Sequence, residues 1–463
     1  MRMTESLLKF IQDHAEDDVS QLLLNASRYQ DVDVKTAVVQ IKARKQIKDK
    51  LPEWCKEDRL IFPSTLAAEQ CSSETTASYK QRLVHHDDWL CDLTGGLGVD
   101  TFYLAKKARR VTYIEKNKVC CEATKANFHR LGATNVHIIN GDAIDFLKNK
   151  NEDNTGIDVF YIDPSRRSTD NKRLFAISDC EPDLMGIISL LPKCYKIIIK
   201  LSPMLDITQV LTQIPSVIEV HVLSVKNECK ELLLVAESDP SPCERICDPS
   251  DASDTLPKRI CEPCDVADTL PKRIYEPCDV NLSKADPVIV CINYPTNNIE
   301  QSFSFRLSDE QTPILKSANH PSDKSLPSCD TVLAKSIGRF LYEPNTSILK
   351  AGAYKSVAWR YGVEKLHTNS HLYVSNQAIM SFPGRLFEIT DVFPFNNRMC
   401  KTICSLIPQA NISVRNFPLS VVELRKRTRI SEGGDIYLFA TTLSDNQKAL
   451  IKCQKVNESI GQF

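Results

Sequence analysis

Between residues 89 and 236, short apolar runs alternate with stretches of helical period, the pattern of a βαβ series. Trp89-Leu90-Cys91 ends in Asp92 and the turn Leu93-Thr94-Gly95-Gly96-Leu97-Gly98, and a helix is predicted from Val99. Val111 to Ile114 ends in Glu115 and is followed by a predicted helix over 118–131. Val136 to Ile139 leads into Asn140-Gly141-Asp142, Asp158 to Ile162 ends in Asp163-Pro164, and Lys196 to Ile199 ends in Lys200. The last two runs, Val217 to Ser224 and Leu232 to Ala236, are too close for a parallel crossover, so they must run antiparallel if they pair. Upstream, Leu22-Leu23-Leu24, Val34, Ala37-Val38 and Ile41 recur at helical spacing, and Ser64-Thr65 is a predicted helix cap. The polar stretch Gln70 to Glu74 reads as a plain connecting segment. Downstream, strands are predicted at Val288–Ile292, Ser302–Phe305, Ile412–Val414 and Ile436–Ala440, and helices over 346–361, 399–406 and 420–427.

Charged residues at successive strand ends mark the edge of an open α/β sheet where ligands bind. Glycines at the first turn let the backbone approach a ligand, and the helix behind them offers free N–H groups. A dinucleotide fold would want G-x-G-x-x-G, but Thr101 stands three after Gly98. Asp142, the Asp163-Pro164 pair and the reversed last strand together resemble class I S-adenosylmethionine (SAM) methyltransferases. The resemblance implies SAM as cofactor, with Asp92, Gly95, Gly96 and Gly98 against its methionine part. Glu115 then takes the ribose and Asp142 the adenine amine.

A chain of 463 residues suggests two to four domains. No apolar run approaches the ~18–20 residues that span a bilayer, and no secretory signal pattern opens the sequence. Eighteen cysteines in that setting read as reduced thiols in a cytoplasmic protein. From Asp254 a 13-residue block recurs as Asp268 to Val280, with a degraded copy at Arg245 to Pro249. Its cysteines follow duplication rather than tetrahedral spacing, so no metal is expected and 240–285 reads as a disordered insertion. The net charge is −1, yet residues 331–463 hold 17 Lys and Arg against 9 Asp and Glu, the bias of a nucleic-acid-binding appendage.

Further motifs are Asp163-Pro164-Ser165-Arg166-Arg167, Lys200-Leu201-Ser202-Pro203, Asn227 to Leu232, Glu343-Pro344-Asn345, and Arg415 to Leu419 through Gly433-Gly434. With these the chain resembles bacterial class I methyltransferases that carry a C-terminal THUMP-like domain. The expected order is a helical domain (1–85), a methyltransferase domain (86–239) with a Rossmann-like sheet and reversed last strand, and the insertion (240–285). A ferredoxin-like α+β module (286–392) and a THUMP-like domain (393–463) follow. The resemblance implies RNA, ribosomal or transfer, as substrate. Arg166, Arg167, Arg425, Lys426 and Arg427 are candidate substrate-binding residues, with Val421, Val422 and Leu424 as the buried side of the last helix.

Three target atoms can be weighed. Carbon-5 methylation needs a cysteine near the end of strand four or five, but Ser165 follows Asp163-Pro164 and no cysteine stands in that turn. Amine methylation resembles the [Asp/Asn]-Pro-Pro-aromatic signature, of which Asp163-Pro164 supplies the first half. Ribose 2′-O methylation resembles a Lys-Asp-Lys-Glu set, here Lys80, Asp163, Lys200 and Glu231, with a lysine of lowered pKa as base. Asp163, Pro164, Lys200 and Glu231 are thus the candidate catalytic residues, and the amine reading is preferred. A small-molecule methyltransferase and a non-catalytic RNA-binding protein are the alternatives.

Overall fold

The computed structural model describes residues 3–149, 156–166, 177, 180–191, 196–237, 286–296, 299–311 and 333–456. The repeat region at 240–285 lies outside them.

Nine strands form the main sheet: β1 Trp89–Asp92, β2 Arg110–Glu115, β3 Val136–Asn140, β4 Val159–Ile162, β5 Lys196–Leu201, β6 Val217–Val225, β7 Glu228–Ala236, β8 Val288–Tyr294 and β9 Gln301–Arg306. Their order is β9-β8-β6-β7-β5-β4-β1-β2-β3. β1 to β5 are parallel, and β7 enters antiparallel between β5 and β6. This is the reversed last strand expected from the short β6–β7 connection. Lys226 and Asn227 both take positive φ, so a two-residue turn closes the hairpin, the geometry that matches strand twist.

The expected module limit at 286 does not follow the sheet. β8 pairs in parallel with β6 along its whole length and β9 pairs antiparallel with β8, so both strands extend the main sheet. Ile289, Cys291, Phe303 and Phe305 bury their apolar sides in the same core as Phe160, Ile197 and Leu232. Alternating burial fixed these strands, but the long insertion before them hid which sheet they join.

A second sheet of seven strands has the order Glu364–Lys365, Tyr373–Ser375, Phe340–Pro344, Gly384–Pro394, Lys448–Lys455, Ile436–Thr442 and Asn411–Arg415. Strand Gly384–Pro394 pairs with Phe340–Pro344 on one side and Lys448–Lys455 on the other, so the two C-terminal modules share one sheet. The single helix expected over 346–361 is two, Thr346–Ala351 and Tyr354–Tyr361. Gly352, at φ 74°, ends the first in the left-handed conformation that glycine adopts without strain. Ile348 and Val357 carry both helices into the core of the main sheet.

The N-terminal segment is helical as expected. Thr4, Asp18 and Asp33 cap its first three α-helices, and Ser64 caps Thr65–Gln70. Leu22, Val34, Ala37, Val38 and Ile41 form a core there with Phe10, whereas Leu24 is exposed. Among the described residues no helix is long and apolar enough to cross a membrane. No His, Cys, Asp and Glu cluster among them could hold a metal ion.

Candidate active site

The carboxyl ends of β1 to β5 bring the predicted residues to one edge. Asp92 lies beside Tyr113 and Tyr161 in register, and Glu115 beside Asn140. The turn after β1 is bound to its neighbours: Leu93 N–H donates to Tyr161 O (3.0 Å) and Gly95 N–H to Ile114 O (2.9 Å). A β-carbon at Gly95 would lie 2.1 Å from the Tyr113 ring, so packing alone requires glycine there. Gly98, at φ 81°, starts helix Val99–Ala105.

Gly96 N–H donates to Glu115 Oε2 (2.9 Å), while Asn117 N–H donates to Oε1 (2.7 Å). Two predicted cofactor residues therefore meet directly. Asp142 caps helix Ala143–Lys148, its Oδ1 accepting from Ile144 N–H at 2.8 Å. Its Oδ2 has no hydrogen-bond partner among the described residues.

Asp92 is buried and turned inward. It accepts from Thr94 N–H (2.9 Å) and Thr101 Oγ1–H (2.5 Å). Burial pushes its carboxyl up to about 7 against those two bonds, and the nearby charges of Asp100 and Asp163 add to the rise. Thr94 Oγ1 in turn accepts from Asp163 N–H (2.6 Å), joining the glycine turn to the Asp163-Pro164 turn.

Lys80, Asp163, Lys200 and Glu231 are gathered into one network, which Ser72, Asp100 and Tyr161 complete. Lys80, with no exposed surface, donates to Asp100 Oδ1 (2.8 Å) and Ser72 Oγ (3.0 Å). It is 2.9 Å from Glu231 Oε1, with the better-aligned hydrogen bond to Oε2 at 3.2 Å. Asp100 Oδ2 accepts from Ser72 (2.7 Å) and Tyr161 (2.8 Å) and lies 3.8 Å from Lys200 Nζ. Lys200 donates to Asp163 Oδ2 in a short hydrogen bond. The charges alternate along the chain Glu231, Lys80, Asp100, Lys200, Asp163, and only the Asp163 end opens outward, its side chain 33% exposed.

Burial alone would lower the Lys200 ammonium, but Asp163, Asp100 and Glu231 outweigh it and raise its pKa. Burial opposes ionisation of Asp100, yet Lys80 and Lys200 hold its carboxyl well below the usual range. Glu231 is raised, because burial exceeds the pull of the same lysines. For Lys200 the upward direction is opposite to the lowering expected of a ribose-directed lysine base.

Asp100, Ser72 and Tyr161 escaped the sequence reading. Ser72 belongs to the segment read as a plain connector, and Asp100 and Tyr161 looked like ordinary helix and strand positions. Periodicity could have found Tyr161, since its hydroxyl needs a partner at a buried strand position. Nothing local marked the other two.

Pro164 is half-buried beside the network. Arg167 and the side chain of Arg166 lie outside the described residues. At the far C-terminus, Arg425 donates to Ala410 O (3.0 Å) and Ile430 O (3.3 Å), so its guanidinium clamps the backbone. Lys426 and Arg427 are exposed, as is Arg429. Leu424 is buried in helix Val421–Thr428, but Val422, expected on the buried side, is 76% exposed.

Two family models match the C-terminal part: a ferredoxin-like domain over residues 340–383 and a THUMP domain-like family over 384–455. The crystal structure of a candidate methyltransferase from Porphyromonas gingivalis W83 matches with 31% identity and a TM-score of 0.75. The match covers 99% of this chain and 100% of that one. The chain belongs to this methyltransferase family. An rRNA methylase from Streptococcus thermophilus matches 35% of the chain and 94% of its own, at 15% identity and TM-score 0.26. A candidate methyltransferase, yhhF from Escherichia coli, matches 36% of the chain and 85% of its own, at 20% identity and TM-score 0.27. No protein of curated function matches the sequence.

The ferredoxin-like match starts at 340, after β8 and β9 have joined the methyltransferase sheet, and the THUMP-like match starts at 384 with the strand the modules share.

Proposed function

We propose that the protein is a SAM-dependent methyltransferase that methylates an exocyclic amine of a base in RNA. The observation that carries the target is the Asp163 carboxylate, held at the open end of the charged chain by Lys200. An amine attacks through its own lone pair and sheds its proton afterwards, so it needs acceptors that orient it rather than a base. Asp163 retains Oδ1 for one N–H, and the Pro164 carbonyl is the second acceptor implied by the Asp-Pro resemblance. Lys200, with its pKa raised by three carboxylates, stays cationic and fixes Asp163 in place.

The residues at the β1–β3 edge fit the cofactor. Gly96 has a positive φ and open space where a side chain would stand, so the backbone can be approached closely. Glu115 presents a carboxylate suited to hydroxyls, and Asp142 Oδ2 is an unused acceptor suited to an amine. When bound, SAM supplies an electrophilic methyl group on a sulfonium. Glu115→Ala should weaken SAM binding by roughly 1.5–3 kcal/mol through loss of a charge-assisted bond, as read by calorimetry. Binding of NAD in place of SAM would contradict the assignment.

RNA as substrate rests on the THUMP-like match and on the basic C-terminal surface. The second reading, ribose 2′-O methylation, is favoured by the meeting of Lys80, Asp163, Lys200 and Glu231 in one network. The two readings separate on variants assayed for transfer of labelled methyl from SAM to RNA of cells lacking the gene. Under the amine reading, Asp163→Ala abolishes transfer while Lys200→Arg, which keeps the cation, retains part of it. A ribose-directed lysine base predicts complete loss in Lys200→Arg, since a guanidinium cannot take the proton.

A further inference from the structure

We propose that Asp100 is a positioning residue for methyl transfer: its carboxylate joins buried Lys80 to Lys200, and so keeps Lys200 aligned on Asp163. The inference rests on the role given to Asp163 above and adds a residue that neither family resemblance nor motif assigned. Asp100 stands in the first turn of helix Val99–Ala105, directly behind the glycine turn. It is 9% exposed, and both its oxygens are engaged.

The geometry is that of a bridge. Oδ1 accepts from Lys80, whose other ionic partner is Glu231 on β7; Oδ2 faces Lys200 on β5 and is aimed by the hydroxyls of Ser72 and Tyr161. Four separate elements thus converge on this carboxylate: the segment before helix Glu74–Lys80, that helix itself, β4 and β5. Without its charge, two buried ammonium groups would face each other with one carboxylate fewer between them. Lys200 would then lose a partner that opposes its desolvation, and its hold on Asp163 would loosen. The ionisable groups facing this pair are Lys80, Glu231, Asp163, Tyr161, Asp92 and the Cys71 thiol.

Asp100→Asn, which keeps size and one acceptor oxygen, tests the role. Methyl transfer to RNA from cells lacking the gene should fall about 10- to 100-fold in kcat, the scale on which misplaced reacting groups are felt, with KM for SAM unchanged. Its pH–rate profile should gain an alkaline limb that the wild type lacks over the range where the protein stays folded. A role in folding alone would lower the yield of active protein without moving that limb. If Asp100→Asn does not fold, the double variant Ser72→Ala, Tyr161→Phe keeps all five charges but frees Oδ2. It should lower kcat without changing KM for SAM.

A third readout needs no RNA. In protein labelled at lysine Cε, the Lys200 carbon resonance, assigned by its loss in Lys200→Arg, should titrate at lower pH in Asp100→Asn than in the wild type. Equal titration, or wild-type kcat and pH profile in Asp100→Asn, would overturn the proposal. A 2′-O-methylated product with the predicted titration shift would instead overturn the amine reading and leave Asp100 in its place.

Discussion

Asp92 shows how a residue's place in the chain leaves the direction of its side chain open. The sequence placed it at the end of β1 with the cofactor set, yet its carboxyl turns inward onto Thr94 and Thr101. Its pKa, pushed up to about 7 by burial, has a consequence for stability. The folded state holds this proton more tightly than the unfolded chain, whose value is near 3.8. Its contribution is therefore full below about pH 4 and is lost as pH rises to about 7, with an upper bound of roughly 4 kcal/mol. Urea unfolding of wild type and Asp92→Asn across pH 4–8 should show the variant gaining on the wild type through this window. A constant difference would mean that Asp92 is ionised throughout. At the same scale, Lys80, Lys200 and Glu231 were visible as charged residues near apolar runs. Asp100, which bridges the two lysines, was not, because a buried acid is recognised by what surrounds it in space.

At the scale of elements, the alternation of apolar runs and helical stretches sufficed for β1 to β7 and for the reversed strand, since each is built on an apolar run set off by helical or turn residues. It failed where a boundary depends on a partner far along the chain. β8 and β9 were assigned to a separate module because 51 residues divide Ala236 from Val288, and only the pairing of β8 with β6 shows their allegiance. That pairing makes the intervening segment a candidate for removal. Ala236 pairs with Val217 and Val288 with Glu219, so both ends of the connection border the start of β6, on its two sides. Strand spacing puts them about 10 Å apart, well within the reach of the 237–242 and 281–287 segments once joined. Deleting 243–280 should leave the thermal midpoint and SAM affinity at their wild-type values. A large fall in stability with loss of stoichiometric zinc would show that the cysteines of the repeat hold a metal.

The whole molecule couples a methyltransferase sheet to a second sheet shared by the ferredoxin-like and THUMP-like modules. Charge bias along the sequence pointed to the last third as an RNA-binding surface, but not to which cations face solvent. Arg425 is engaged with two carbonyls, whereas Lys426, Arg427 and Arg429 are exposed on and just beyond the same helix. Replacing Lys426, Arg427 and Arg429 together should weaken RNA binding and flatten its salt dependence, by about 0.7–0.9 in log–log slope for each phosphate no longer neutralised. Replacing Arg425 should instead lower stability. An unchanged slope in the triple variant would return those residues to a plain solvated face.

The proposed methylation of a base amine of RNA is tested most directly by its product. RNA from cells with and without the gene can be digested to nucleosides and compared by mass spectrometry, with a parallel alkaline hydrolysis. The account predicts that deletion removes one base-methylated nucleoside, restored by the wild-type protein and not by Asp163→Ala. Loss of an alkali-resistant 2′-O-methylated dinucleotide, with every base-methylated nucleoside retained, would contradict it.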